Sequence, residues 1–227
     1  MKYDLVLFDA DDTLLDFEKA EEQALMDLFQ HYGLSYDECA GDYRRINNAC
    51  WAAFERGEMT QSVLRRERFE RFCACRLPME NPTSVAAFYE HALSTKNDML
   101  CGASETVKAI SGKLPIVIVT NGIASIQRPR ITSSPIFQYI SDLLISEETG
   151  HQKPDPGMLY MAIEKFGTAK ARTLMIGDSL TSDMRAAQAA GVDFLWYNPK
   201  GKTPPDNAFI TYETNNISKF PQYALAE

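Results

Sequence analysis

Leu5-Val6-Leu7-Phe8-Asp9-Ala10-Asp11-Asp12-Thr13-Leu14 is an apolar run that ends in acids. Its first four residues read as a strand buried on both faces, since no polar residue interrupts them. Asp9 and Asp11, spaced i, i+2, then project from the carboxyl end of that strand, where ligands bind in open α/β sheets. Two like charges at one point repel, and each resists burial. A structural turn gains nothing from that arrangement, whereas a cation and a shared chemical task would offset its cost.

Three segments further along repeat the theme. Pro115-Ile116-Val117-Ile118-Val119-Thr120-Asn121-Gly122 reads as a second buried strand that ends in a hydroxyl and a turn. In Lys153-Pro154-Asp155-Pro156 a lone lysine precedes a helix start, with Asp155 as the expected N-cap and Pro156 as the expected first helical residue. Thr173-Leu174-Met175-Ile176-Gly177-Asp178 is a third strand ending in an acid, and Asp183 follows at the start of a small-residue helix stopped by Gly191. Acid pair, hydroxyl, lysine and acid pair each stand at or beside a strand end.

In this order the segments resemble the four signature motifs of the haloacid dehalogenase-like phosphohydrolase superfamily, and the resemblance spans the whole chain. Phe8–Leu14 and Ile145-Ser146-Glu147-Glu148-Thr149-Gly150 through Lys153-Pro154 are similar to the cap-bearing branch of bacterial pyrimidine 5′-nucleotidases. The fold implied is α/β: a Rossmann-like parallel sheet core with helices on both faces, plus an inserted all-α cap domain. Strand signals at 4–8, 115–119, 142–145, 173–177 and 193–197 alternate with helical patterns at 103–113, 157–166 and 182–190, as βαβ units require. Between the first two strands, apolar residues recur at helical spacing, as in Ala24, Leu25, Leu28 and Phe29. Turn signals at Gly33, Gly57, Pro78 and Asn81-Pro82 divide this stretch into about four helices. Residues 1–15 and 96–227 are therefore the expected core, and residues 16–95 the expected cap.

The resemblance implies a phosphate-ester hydrolase in which Asp9 is the nucleophile and Asp11 the acid/base. Two nearby carboxylates with separated proton affinities allow that division of labour. It implies magnesium bound by Asp9, the Asp11 backbone carbonyl and Asp178, with Asp183 in support. Thr120 would donate to the phosphoryl group beside the amides of Asn121 and Gly122, Thr13 would contact the same loop or phosphate, and Lys153 would supply fixed positive charge. Asn47-Asn48-Ala49-Cys50-Trp51, Gly57 and Arg68-Phe69 resemble the nucleotidase cap pattern. Asn47, Trp51 and Arg68 are thus candidate substrate contacts, although Trp51 at helical spacing also suits a core position.

Bulk properties narrow the partners. The net charge of −8 leaves no basic stripe for a nucleic-acid polymer. Yet residues 1–43 carry 2 Lys against 12 Asp and Glu, whereas residues 44–76 carry 8 Arg against 4 Glu. That basic middle suits a small anion, while Arg65, Arg66, Arg68 and Arg71 point around a helix and read for the most part as solvated charges, with Glu67–Arg71 as an i, i+4 pair. No apolar stretch approaches a membrane span, and the chain opens directly on a strand without signal-peptide features. The five cysteines are odd in number and lack zinc-ligand spacing, so reduced thiols in a cytoplasmic protein are expected. The expected partner is a small phosphorylated metabolite, a nucleoside monophosphate first, and the expected state a monomer or small homo-oligomer. A sugar phosphate or phosphoglycolate is the alternative substrate. A haloacid dehalogenase would need neither Asp11 nor magnesium, and a non-enzymatic phosphate-binding module would need no such full set of acids.

Overall fold

A computed structural model describes all residues, Met1–Glu227. Six strands form one sheet: β1 (Leu5–Phe8), β2 (Ile116–Thr120), β3 (Asp142–Ile145), β4 (Thr173–Gly177), β5 (Asp193–Tyr197) and β6 (Tyr212–Thr214). Ten helices accompany them: α1 (Phe17–Tyr32), α2 (Tyr36–Glu55), α3 (Gln61–Arg76), α4 (Pro82–Ser94), α5 (Ala103–Ser111), α6 (Ala124–Thr132), α7 (Ser146–Thr149), α8 (Gly157–Phe166), α9 (Asp183–Ala190) and α10 (Phe220–Ala224). The chain divides into two compact units, Met1–Phe17 with Asn97–Glu227, and Glu18–Lys96.

In the first unit all strands are parallel, in the order β3-β2-β1-β4-β5-β6. This is the doubly wound order, whose direction reverses at β1 and opens a crevice at the carboxyl ends of the central strands. Alternate residues feed two cores. Val6, Phe8, Ile116, Ile118, Leu174 and Ile176 pack with Val107 and Ile110 of α5 and Phe220 of α10. Leu5, Leu7, Val117, Val119 and Met175 pack with Met158 and Leu159 of α8 and Ala186 and Ala187 of α9. Helices therefore cover both faces, and β1 has no polar residue because neither of its faces meets water. Each such side chain contributes roughly 1.5–3 kcal/mol by leaving water, so the acids begin only where the strand ends.

The helical unit is inserted just beyond the first acid loop. The strands of chain that lead out and back are tied together, with the Leu100 amide donating to the Leu14 carbonyl at 2.9 Å and the Asp16 amide to the Asp98 carbonyl at 2.9 Å. Within the unit, α3 starts where the Thr60 hydroxyl accepts from the Val63 amide, and α4 where Asn81 accepts from Thr83 and Pro82 opens the helix. Its core is aromatic: Tyr43 lies 5.1 Å from Tyr89, and Phe29 stacks on Phe72 at 5.7 Å, between ring centroids. No helix is long and apolar enough to cross a membrane. All five cysteines are free thiols, Cys39, Cys50 and Cys73 being buried and Cys75 and Cys101 exposed.

One local expectation needs correction. Helix α8 begins at Gly157, not Pro156, which stands one residue outside it. Asp155 still caps from there, because its carboxylate accepts from the Gly157 amide at 2.8 Å. Elsewhere, α6 starts at Ala124 and runs through Pro129. Proline has no N–H for the Ser125 carbonyl, a loss set against an N-terminus where the Ala124 amide donates to Glu147 at 2.6 Å.

Candidate active site

The carboxyl ends of β1, β2 and β4 bring the four sequence segments together. Asp9 follows β1, with its amide bonded to the Ile176 carbonyl of β4 at 2.9 Å, and it is 8% exposed. Lys153 arrives from the loop before α8 with its side chain 1% exposed. Its ammonium donates to Asp9 Oδ1 at 2.5 Å, to Asp183 Oδ1 at 2.7 Å and to the Val119 carbonyl at 2.8 Å. All three of its donors are therefore used. Burial alone would lower the lysine's proton affinity, but the Asp183 and Asp9 charges override it and push its pKa up. The lysine is held as a cation.

Asp183, at the first position of α9, has both oxygens committed: Oδ1 to Lys153, and Oδ2 to the Ser179 amide at 3.0 Å. It reaches this point because Gly177 has no side chain; a Cβ there would lie 2.3 Å from Asp183 Oδ2. The Asp178 carboxylate, by contrast, accepts no hydrogen bond, its residue being fixed through its carbonyl, which accepts from Trp196 Nε1 at 2.9 Å. Burial, then the charges of Asp183 and Asp12, push the Asp178 carboxyl up to about 7. Burial and then the Asp183 charge likewise raise Asp9, against the pull of Lys153. Oxygen ligands of Asp9, Asp178 and Asp183 lie within 4.8 Å of one another. Crowded carboxylates of which one has no donor fit a hard divalent cation, which takes oxygen ligands and supplies the missing positive charge.

The remaining candidates surround this cluster. Thr120 ends β2 with its hydroxyl oxygen accepting from Gln127 Nε2 at 3.0 Å. Thr13 is fully buried in the acid loop, and its hydroxyl has no hydrogen-bond partner. The loop bends at Asp12, the single non-glycine residue with positive φ (57°), a conformation that Asp tolerates. Asn121 does something the sequence did not suggest. Its Nδ2 donates to the Lys153 carbonyl at 2.6 Å and its Oδ1 accepts from the Lys153 amide at 2.7 Å, so it clamps the main chain that carries the lysine. Gly122 has no side chain because Gln127 lies over it, a Cβ there falling 2.2 Å from Gln127 Cγ.

Gln127 and Arg130, one turn apart on α6, were not singled out from the sequence, yet both hold Asp11. Arg130 donates to Asp11 Oδ1 at 2.7 Å, and Gln127 to Asp11 Oδ2 at 2.6 Å. Their i, i+3 spacing on a helix just after Thr120-Asn121-Gly122 was the available signal.

The helical unit holds the other three candidates. Asn47 is 4% exposed and Arg68 3%. Asn47 Nδ2 donates to Glu21 Oε1 at 3.2 Å, and Arg68 donates to Asn47 Oδ1 at 3.1 Å. The Arg68 guanidinium also lies 4.8 Å from the Phe69 ring centroid. It is not a solvated charge, unlike Arg66 and Arg71, which pair with Glu70 and Glu67 on the surface. Trp51 is half-buried and meets Phe54 edge-on at 5.6 Å.

Comparison with known proteins supplies the family. The family model for haloacid dehalogenase-like hydrolases matches residues 6–197. The chain belongs to the haloacid dehalogenase-like hydrolase family. It is 35% identical to the pyrimidine 5′-nucleotidase PynA of Streptococcus pneumoniae, over 94% of this chain and 91% of that protein. It is 31% identical to the pyrimidine 5′-nucleotidase YjjG of Escherichia coli, over 98% of each. The magnesium-bound crystal structure of the HAD-hydrolase YfnB from Bacillus subtilis superposes with a TM-score of 0.91 at 31% identity, covering 99% of each chain.

Proposed function

We propose that this family member is a magnesium-dependent phosphomonoesterase that works through an aspartyl-phosphate on Asp9, with pyrimidine nucleoside 5′-monophosphates as substrates. The observation that carries the reading is the buried Lys153 ammonium between Asp9 and Asp183, beside an Asp178 carboxylate with no donor. That arrangement presents one oriented carboxylate and a place for a cation together. The substrate choice rests on the similarity to PynA and YjjG, both named for that activity.

Held by Asp9, the Asp11 carbonyl and Asp178, magnesium would neutralise charge on the phosphoryl oxygens. The chain's own groups do the rest. An Asp9 oxygen bonds to phosphorus while the bond from phosphorus to the leaving oxygen breaks, and protonated Asp11 gives that oxygen its proton. Water then attacks phosphorus, ionised Asp11 takes its proton, and the bond to Asp9 breaks to release phosphate. Lys153 holds Asp9 in place throughout, and the Thr120 hydroxyl serves the phosphoryl oxygens. In this reading the helical insertion selects the base, with Trp51 the most accessible of its three candidates.

The test is hydrolysis of UMP, dUMP and dTMP beside glucose 6-phosphate and phosphoglycolate, with and without EDTA. Activity should vanish on chelation, return with magnesium and favour the nucleotides. Undiminished turnover in EDTA contradicts the metal role of Asp9 and Asp178. A sugar phosphate or phosphoglycolate preferred by about tenfold or more leaves a phosphatase but removes the nucleotidase reading.

A further inference from the structure

We infer that Gln127 and Arg130 are positioning residues that orient two reacting groups at once, the Asp11 acid/base and the Thr120 hydroxyl. The inference rests on the acid/base role proposed above for Asp11. Three facts carry it: the bonding at Asp11, the fixed sense of the Gln127 amide, and the burial of both helix residues.

Arg130 is fully buried and Gln127 is 3% exposed, whereas the Asp11 side chain is 26% exposed. A buried guanidinium needs a counter-charge, and Asp11 is its ion-pair partner at 2.7 Å. The Phe17 ring, 5.6 Å from the guanidinium carbon, closes another side. Each carboxylate oxygen of Asp11 accepts one bond, from Arg130 and from Gln127 respectively. A carboxylate has about four lone-pair positions, so a proton and a substrate oxygen can still be served from the open side. Asp11 is held by its buried edge and works from its exposed one.

The Gln127 amide can sit only one way round. Its Oε1 accepts from Arg130 at 2.7 Å, and its Nε2 donates to Asp11 at 2.6 Å and to Thr120 at 3.0 Å. Turned over, it would set oxygen against carboxylate and N–H against guanidinium. Both Nε2 hydrogens and the carbonyl are thereby committed. The consequence falls on Thr120: its oxygen already accepts, and no acceptor for its hydrogen lies within the protein. Its O–H is left to donate outward, which is the sense that a phosphoryl oxygen requires. Gly122 makes room for this, since a Cβ would collide with Gln127.

The roles separate by leaving group. p-Nitrophenolate departs without a proton, whereas the 5′-alkoxide of UMP needs one. Because kcat/KM covers formation of the phosphoenzyme, misplacing Asp11 should lower it more for UMP than for p-nitrophenyl phosphate. Misplacing Thr120 should lower both. For Arg130→Met the loss on UMP should exceed that on p-nitrophenyl phosphate by about tenfold or more, with Arg130→Lys recovering part of it. Gln127→Glu should show the same selectivity plus a further loss common to both substrates. Gln127→Leu, which removes the donors without adding charge, serves if either buried-charge variant fails to fold. Asp11→Asn is the reference and should show the largest selectivity. If Asp11→Asn is selective but the folded Arg130 and Gln127 variants lower both substrates equally, or not at all, the positioning role is overturned. If Asp11→Asn is itself unselective, the acid role fails and the positioning role falls with it.

Discussion

Asp9→Asn is expected to lower kcat for UMP by at least about 10⁴-fold while leaving the protein folded. The amide has nearly the shape of the carboxylate, so packing at the end of β1 is preserved. Its oxygen still accepts from Lys153, which keeps its bonds to Asp183 and the Val119 carbonyl. What is lost is an anionic nucleophile and an anionic ligand. Burial and the Asp183 charge already strain the ionised form of Asp9, so removing that charge relieves repulsion within the cluster. Thermal stability without metal should therefore hold steady or rise while activity disappears. Circular dichroism melts and steady-state assays on one preparation check both halves. A variant that keeps a tenth of wild-type activity would show that Asp9 is not the nucleophile.

Lys153→Met should do the opposite to stability. Methionine fills much of the lysine's volume but leaves Asp9 and Asp183 facing each other without the cation between them. Removing one partner of a buried ionic cluster typically costs about 3–5 kcal/mol. Asp9 can take up a proton in response, which places the expected loss near about 3 kcal/mol. For a chain of this size that corresponds to a melting temperature lower by roughly 6–12 °C. Activity should fall by at least about 10²-fold, because the fixed charge that orients the nucleophile is gone. Arg56→Ala, which breaks an exposed pair with Glu58, is the control and should leave both quantities unchanged. A folded Lys153→Met protein with wild-type stability and turnover would remove the lysine from both roles.

Much of this was legible before any coordinates. β1, β2 and β4 are buried on both faces, so each appears as an unbroken apolar run, and their parallel order follows from alternation with helices. Asp9, Asp11, Thr120, Lys153, Asp178 and Asp183 were visible because strand ends in such a sheet converge on one crevice. Residues whose meaning lies in a distant partner were not. Gln127 and Arg130 are ordinary polar helix residues until Asp11, more than a hundred positions earlier, is known to face them. Asn121 was read for its main-chain amide, while its side chain holds the Lys153 backbone. Arg68 sits in a helix rich in exposed arginines, and only its neighbours Asn47, Phe69 and Tyr89 explain its burial. Pro129 shows the limit of local rules: a helix tolerated it because the surrounding contacts outweigh one missing hydrogen bond.

The central claim is a covalent intermediate on Asp9, and Asp11→Asn offers a direct way to trap it. With p-nitrophenyl phosphate the first step needs no proton from Asp11, but hydrolysis of the phosphoenzyme still needs its base. Rapid mixing of this variant with p-nitrophenyl phosphate and magnesium should release a burst of p-nitrophenolate equal to the enzyme concentration, followed by slow turnover. Mass spectrometry of the acid-quenched protein should find one phosphoryl group on the peptide carrying Asp9. Absence of a burst together with an unmodified Asp9 peptide, in a variant that still turns over, would contradict the account.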